Sequence, residues 1–88
     1  MSWTVTIKRK QLRNLRKLPR KVQDLFVFLE ADLKADGPEQ PGWPNYSKLS
    51  ADTFHCHLNY RYVACWTADK QTITIEVYYV GSREKAPY

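Results

Sequence analysis

The sequence predicts an α+β fold with the order β-α-α-β-β-β: two N-terminal helices packed on one face of a four-stranded, mainly antiparallel sheet. Three observations point there. The opening SWTVTIK and three later segments alternate apolar and polar residues, the period-two pattern of half-buried strands. From Lys8 to Leu33 the apolar residues recur at helical spacing instead. The links between the last three segments are short enough to demand hairpins, which makes those segments an antiparallel meander.

In the first strand Trp3, Val5 and Ile7 alternate with Ser2, Thr4 and Thr6. Leu12, Leu15 and Leu18 then mark a first helix within KRKQLRNLRKL, most of whose remaining positions are basic. Pro19 breaks it and suits the first turn of the next helix. In PRKVQDLFVFLEADLKADG the residues Val22, Leu25, Phe26, Leu29 and Leu33 define one buried face, and Asp36 to Pro38 is a stop signal. GPEQPGWPNYSKL reads as a long loop, of a length that is often functional. Its Trp43 and Tyr46 are an aromatic pair available either for packing or for contact with a partner.

TFHCHLN puts Phe54, Cys56 and Leu58 on one face and His55 and His57 on the other. YRYVACWT follows across a tight link at Asn59 and Tyr60, with the next turn at Ala68 to Lys70. In QTITIEVYYVG, Ile73, Ile75, Val77 and Tyr79 alternate with Thr72, Thr74, Glu76 and Tyr78. If the helices cover one face, the other is left open and carries His55, His57, Arg61 and Cys65. Cys56 then faces the helices, so the two cysteines cannot pair.

The chain of 88 residues is read as a single domain, 1–88, whose 43% hydrophobic content suffices for one modest core. A formal charge of +5 favours acidic partners such as nucleic acid. No apolar run approaches the roughly 20 residues of a membrane span. MSWTVTIKRK lacks the apolar stretch of a secretory signal. Two cysteines are too few for a disulfide framework. The expectation is a cytoplasmic, reduced protein without a membrane partner.

The His55-Cys56-His57 run has three readings. As a metal site it is poorly built, because successive strand residues point to opposite faces and no zinc-type spacing supplies further ligands. No metal or cofactor is therefore expected. As a catalytic surface it asks less. RNA cleavage through the 2′-hydroxyl needs a base, an acid and cations for the phosphorane charge; histidine titrates near neutrality, and Arg61 offers a planar fork for phosphate oxygens. The third reading is a solvated strand face with no chemistry.

The C-terminal YYVGSREKAPY is too short and too Pro-interrupted after Ser82 for a helix. It is either a frayed tail or a segment that turns back at Gly81 and sets Arg83 and Tyr88 beside the histidines. The basic residues Lys8, Arg9, Lys10, Arg13 and Lys85 form either a solvated surface or a set of contacts to an RNA backbone.

The element order, together with YRYVACWTADKQTITIEVYYVGSREKAPY, resembles the RelE/ParE toxin superfamily of bacterial toxin–antitoxin systems. The shared features are a Tyr-Arg pair opening a strand, a later strand ending in Val-Gly, a basic stretch and a closing tyrosine. The resemblance implies a ribosome-dependent mRNA endonuclease that works by 2′-hydroxyl attack without a metal. It implies phosphate-binding roles for Arg61 and Arg83 and a base-stacking or acid role for Tyr88. His55 and His57 stand where such toxins carry two lysines, which leaves the general base to one of the histidines. The partners implied are a cognate antitoxin, the ribosome and mRNA. The alternative within the same fold is a ParE-like protein that inhibits gyrase without catalysis, or a basic binding module.

Overall fold

The computed structural model describes residues 2–88. Alternation at Thr4–Ile7 produces strand β1, and the switch to helical spacing produces α1 (Arg9–Arg16) and α2 (Arg20–Asp36). Then come β2 (Ser47–Lys48), β3 (Thr53–His57), β4 (Tyr62–Asp69), β5 (Thr74–Ser82) and one 3-10 turn over Arg83–Lys85. The sheet order is β1-β5-β4-β3-β2. β1 runs parallel to β5, with Thr4 beside Thr74 and Ile7 beside Val77, and the other neighbours are antiparallel.

The sheet therefore has five strands rather than the expected four. The extra one, β2, comes from the loop after α2 and pairs Ser47 with His55 and Lys48 with Phe54. Two residues carry no readable alternation; the pairing is made by the partner strand. The 3-10 turn is likewise more order than the sequence suggested after Ser82.

α2 buries Val22, Phe26, Leu29 and Leu33, with Leu25 half-buried, against Phe54, Cys56, Ala64, Trp66, Ile75, Val77 and Val80 of the sheet. α1 departs from its expected face. Leu15 and Leu18 are half-buried, but Leu12 is 41% exposed and the buried residue of this helix is Gln11. The cause is a backbone need: β1 ends at Ile7, so the upper edge of β5 has no strand beside it, and the Val80 N–H donates to Gln11 Oε1 at 3.0 Å instead.

β5 also breaks the simple alternation. Cys65 pairs with Tyr79 but Trp66 with Val77, a bulge that leaves Tyr78 as the extra residue. Tyr79 is thereby taken off the core face expected for it, and Val80, fully buried, takes that place. The β4–β5 turn lies later than expected because β4 runs on to Asp69, whose Oδ1 accepts from the N–H groups of Gln71 and Thr72. Ile73 closes that turn at φ 54°, a left-handed conformation costly for a β-branched residue.

The long loop is tied down. Buried Gln40 donates to the carbonyls of Asp32 and Gly37, and Trp43 Nε1 donates to Asp32 Oδ2 at 2.8 Å. Tyr46 stacks on Phe54 and Trp66, with ring centroids 6.4 and 6.5 Å apart. Both loop aromatics thus pack, half-buried, against the core. Among the described residues no helix is long and apolar enough to cross a membrane.

Candidate active site

β3 and β4 set the site's register. His55 lies opposite Cys65 and His57 opposite Val63, while Cys56 and Ala64 face α2. The two thiols are therefore on opposite sides of the sheet, and both are free. The face away from the helices is less open than expected: Val63 and Cys65 are fully buried and His55 is only 8% exposed. What covers it is the chain's own end. After β5 the Arg83 N–H donates to the Arg61 carbonyl at 2.8 Å, and the tail runs back until the Tyr88 ring lies 4.3 Å from that of His55.

Gly81 has a different part in this return than a flexible turn. It lies within β5, and a Cβ there would sit 2.9 Å from the Tyr79 hydroxyl, which donates to the Ser82 carbonyl at 2.7 Å. The missing side chain makes room for the tyrosine that clamps the start of the tail.

The two histidines occupy unlike environments, though their ring centroids are 5.9 Å apart. His55 Nδ1 shares a 2.9 Å hydrogen bond with Ser47 Oγ, and its ring is roofed by Tyr88. Its pKa is lowered by burial first and by the nearby His57 second, with hydrogen bonding at Ser47 acting against both. His57 borders a concavity of about 300 Å³ with Asn59, Tyr60 and Arg83. Burial and then the Arg83 cation lower its pKa, which favours the neutral ring that can accept a proton.

Arg83 connects this concavity to a larger cleft of about 450 Å³ lined by Tyr60, Arg61, Tyr62, Ser82 and Glu84. Its guanidinium carbon stands 4.9 Å over the Tyr60 ring. Among the described residues neither Arg61 nor Arg83 forms an ion pair, so both cations are available to an anion. Neither thiol suits nucleophilic chemistry. Burial pushes Cys56 up to about 12 and Cys65 up to about 11, so both stay protonated at neutral pH. Burial, followed by Cys65, also raises the Tyr88 hydroxyl.

The structure thus brings His55, His57, Arg61, Arg83 and Tyr88 to one end of one sheet face. Lys85 lies just beyond, in a third concavity with Lys17. Lys8, Arg9, Lys10 and Arg13 are exposed on α1 and the link before it; none lines the clefts at His57 or Arg61, and Lys8 Nζ is 4.0 Å from Glu76. Sequence reasoning missed two residues. Tyr60, 75% exposed, was signalled by the tyrosines flanking Arg61. Ser47 had no signal, because its contact with His55 depends on the two-residue strand β2.

No protein-family model and no curated protein sequence matches the chain. Solved structures do. A chain of the archaeal RelE–RelB complex from Pyrococcus horikoshii OT3 superposes with a TM-score of 0.78 at 16% identity, covering 98% of this chain and 100% of that one. A mutant of the E. coli toxin RelE in the free state gives 0.77 at 17% identity, covering 98% and 88%. A chain of the toxin–antitoxin complex RelBE2 from Mycobacterium tuberculosis gives 0.72 at 23% identity, covering 94% and 100%. With two helices on a five-stranded mixed sheet, matched over nearly its whole length, this chain has the RelE-type toxin fold.

Proposed function

We propose that this protein is the toxin of a toxin–antitoxin pair and acts as a metal-independent endoribonuclease on mRNA in the ribosome. The observation that carries this reading is the convergence of Arg61, Arg83 and His57, its neutral form favoured, around one cleft edge, with the Tyr88 ring close by on His55. Transesterification needs those elements and no further group. His57 takes the 2′-hydroxyl proton; the 2′-oxygen attacks phosphorus; the P–O5′ bond breaks. The products are a 2′,3′-cyclic phosphate and a 5′-hydroxyl. Arg61 and Arg83 hold the extra negative charge of the phosphorane. Tyr88, protonated at rest, offers its ring to a base and gives its hydroxyl proton to the departing 5′-oxygen, a far stronger base than phenolate; solvent then restores that proton and takes the one held by His57. His55, held by Ser47 and covered by Tyr88, positions that ring rather than meeting the substrate.

The resemblance to toxins solved with antitoxins supports an antitoxin partner. With Trp43 and Tyr46 packed inward, the contact moves to α2, where Val27 and Phe28 are 59% and 64% exposed. An apolar helix laid there would cover them. Phe28→Asp is expected to leave folding intact and weaken capture by a co-expressed antitoxin; unchanged capture would place the contact elsewhere.

The decisive experiment adds the purified protein to translating ribosomes on a defined mRNA and maps new 5′ ends by primer extension, beside the same mRNA without ribosomes. Cuts confined to A-site codons and dependent on ribosomes are expected. If no cuts appear in either condition, the enzymatic reading fails. Stoichiometric inhibition of gyrase supercoiling would then assign the fold to the non-catalytic branch.

A further inference from the structure

The clefts around Arg61 do not end there. The concavity at His57 shares Tyr60 and Arg83 with the Arg61 cleft, and that cleft shares Tyr62 and Ser82 with a third concavity of about 310 Å³. This third one lies where the end of α1 meets the end of β5, and Lys17, Leu18, Tyr79 and Lys85 border it. The three adjoin one another through these shared residues, in a series from the histidine face, past the end of the sheet, to the C-terminus of α1.

Its chemistry is uniform. Arg83, Arg61, Lys85 and Lys17 succeed one another along it, and among the described residues none of them has an acidic partner. Among the described residues Glu84 is the one acidic residue on its walls. Aromatic surface alternates with the cations: Tyr60 at the junction of the first two concavities, Tyr62 and Tyr79 further on. Tyr60 has Arg83 over one face of its ring and is 75% exposed, which leaves the other face for a flat group.

We propose that this series of concavities is a track for single-stranded RNA, taking the nucleotides next to the scissile phosphate past Tyr60 and on to Lys17 and Lys85. An acidic protein segment would be drawn to the cations but would make no use of an exposed tyrosine ring backed by a guanidinium. A polynucleotide uses both, through phosphates and stacked bases. A fully paired duplex cannot unstack its bases onto the ring, so the track selects single strands. The ligand class rests on the endoribonuclease reading; the path round the sheet end does not depend on where, or whether, the RNA is cut.

The test uses 2′-O-methyl RNA, which cannot be cleaved, as a trinucleotide and as a dodecamer, titrated into isotope-labelled protein and followed through its backbone amides. The dodecamer is expected to shift the amides of Asn59 to Arg61 and also those of Asn14 to Leu18, whereas the trinucleotide shifts only the first group. By fluorescence anisotropy, Lys17→Glu with Lys85→Glu is expected to weaken the dodecamer at least tenfold and the trinucleotide less than twofold. The slope of log affinity against log salt should fall by about 1.4 for two lost phosphate contacts. Lys70→Glu, in the turn at the opposite end of β4, is the control. Unmoved Asn14 to Leu18 amides at saturation, or equal losses for Lys70→Glu and the double variant, overturn the track while the ribosome assay above still decides the enzyme reading. Polyglutamate shifting those amides as strongly as the dodecamer would overturn the choice of RNA.

Discussion

The two faces of this sheet are buried to similar depth by different means. On one side α2 supplies Val22, Phe26, Leu29 and Leu33 against Phe54 and Trp66. On the other, Val63 and Cys65 are just as inaccessible, but the cover is the chain's own tail and a set of titratable rings: His55, Tyr78, Tyr79 and Tyr88. A helix dedicates its covering face to packing. A tail held by a few hydrogen bonds can cover hydrophobic strand residues and still present polar groups at its rim. One face therefore stabilises the fold and the other carries the candidate site, and substitutions on the two should have separable effects.

The largest expected effect lies on the helix side. Trp66 is fully buried, stacks on Phe54 with ring centroids 6.3 Å apart, and its Nε1 donates to the Pro38 carbonyl at 3.0 Å. Trp66→Ala should cost about 3–5 kcal/mol, enough to unfold much of a small domain. Denaturant titration would show it, and a loss under 1 kcal/mol would mean that α2 is not the main source of stability. Tyr88→Ala, on the other face and half-exposed, should cost no more than about 1 kcal/mol by the same titration.

Arg61→Ala and Arg83→Ala reverse the pattern. Both side chains are exposed, so stability should change by less than about 0.5 kcal/mol. Cleavage on ribosomes should fall by about 10²–10³ for each, as for loss of one group that stabilises a transition-state charge. Full toxicity of both variants in growing cells would remove them from the mechanism. The histidines should then split. His57→Gln is expected to lower the cleavage rate by about 10²–10⁴, the usual contribution of a positioned base. His55→Gln should lose less, and Ser47→Ala should reproduce a fraction of that loss, because both disturb the Tyr88 seat. Equal losses for the two histidines would break this division of labour.

Much of this could be read beforehand, and what could not has a common cause. Residues whose environment follows from local period were legible: the α2 face, the Cys56/His57 alternation and the separation of the thiols. The misplacements arose where a distant segment satisfies a backbone group. Gln11 is buried because Val80 N–H needs an acceptor; β2 exists because β3 offers an edge; Tyr79 leaves the core because of the bulge at Tyr78. The site was legible as a set of residue types, but its asymmetry was not. That His55 is roofed and His57 is not depends on Ser47 and on the path of the tail, neither of which has a periodic signature.

A smaller effect tests the clamp on that tail. Gly81→Ala pushes a methyl group against the Tyr79 hydroxyl, and Tyr79→Phe removes that hydroxyl and its bond to the Ser82 carbonyl. Each should cost about 1 kcal/mol and speed amide hydrogen exchange in the last residues without reaching the β3–β4 core. Unchanged exchange near Tyr88 would mean the tail is held elsewhere.

The subtlest consequence concerns charge at the rim. Both histidines have folded-state pKa values below 6.5, for which burial is the first cause. A histidine lowered on folding resists protonation in the native state, so the native state binds fewer protons than the unfolded chain. The histidines' contribution to stability should be level above pH 6.5 and decline as pH falls through and below it. Cleavage should rise with pH along a limb whose midpoint also lies below 6.5, because His57 must be neutral to accept the proton. Arg83 supplies part of the shift at His57 and none of the leading causes at His55. In Arg83→Ala the His57 imidazole, followed by its ring proton resonances, should therefore titrate closer to 6.5 while His55 stays nearly where it was. Movement of both by the same amount would indicate that the tail had lifted from the sheet, exposing the two rings together, and the separate environments of the histidines would then depend on the tail alone.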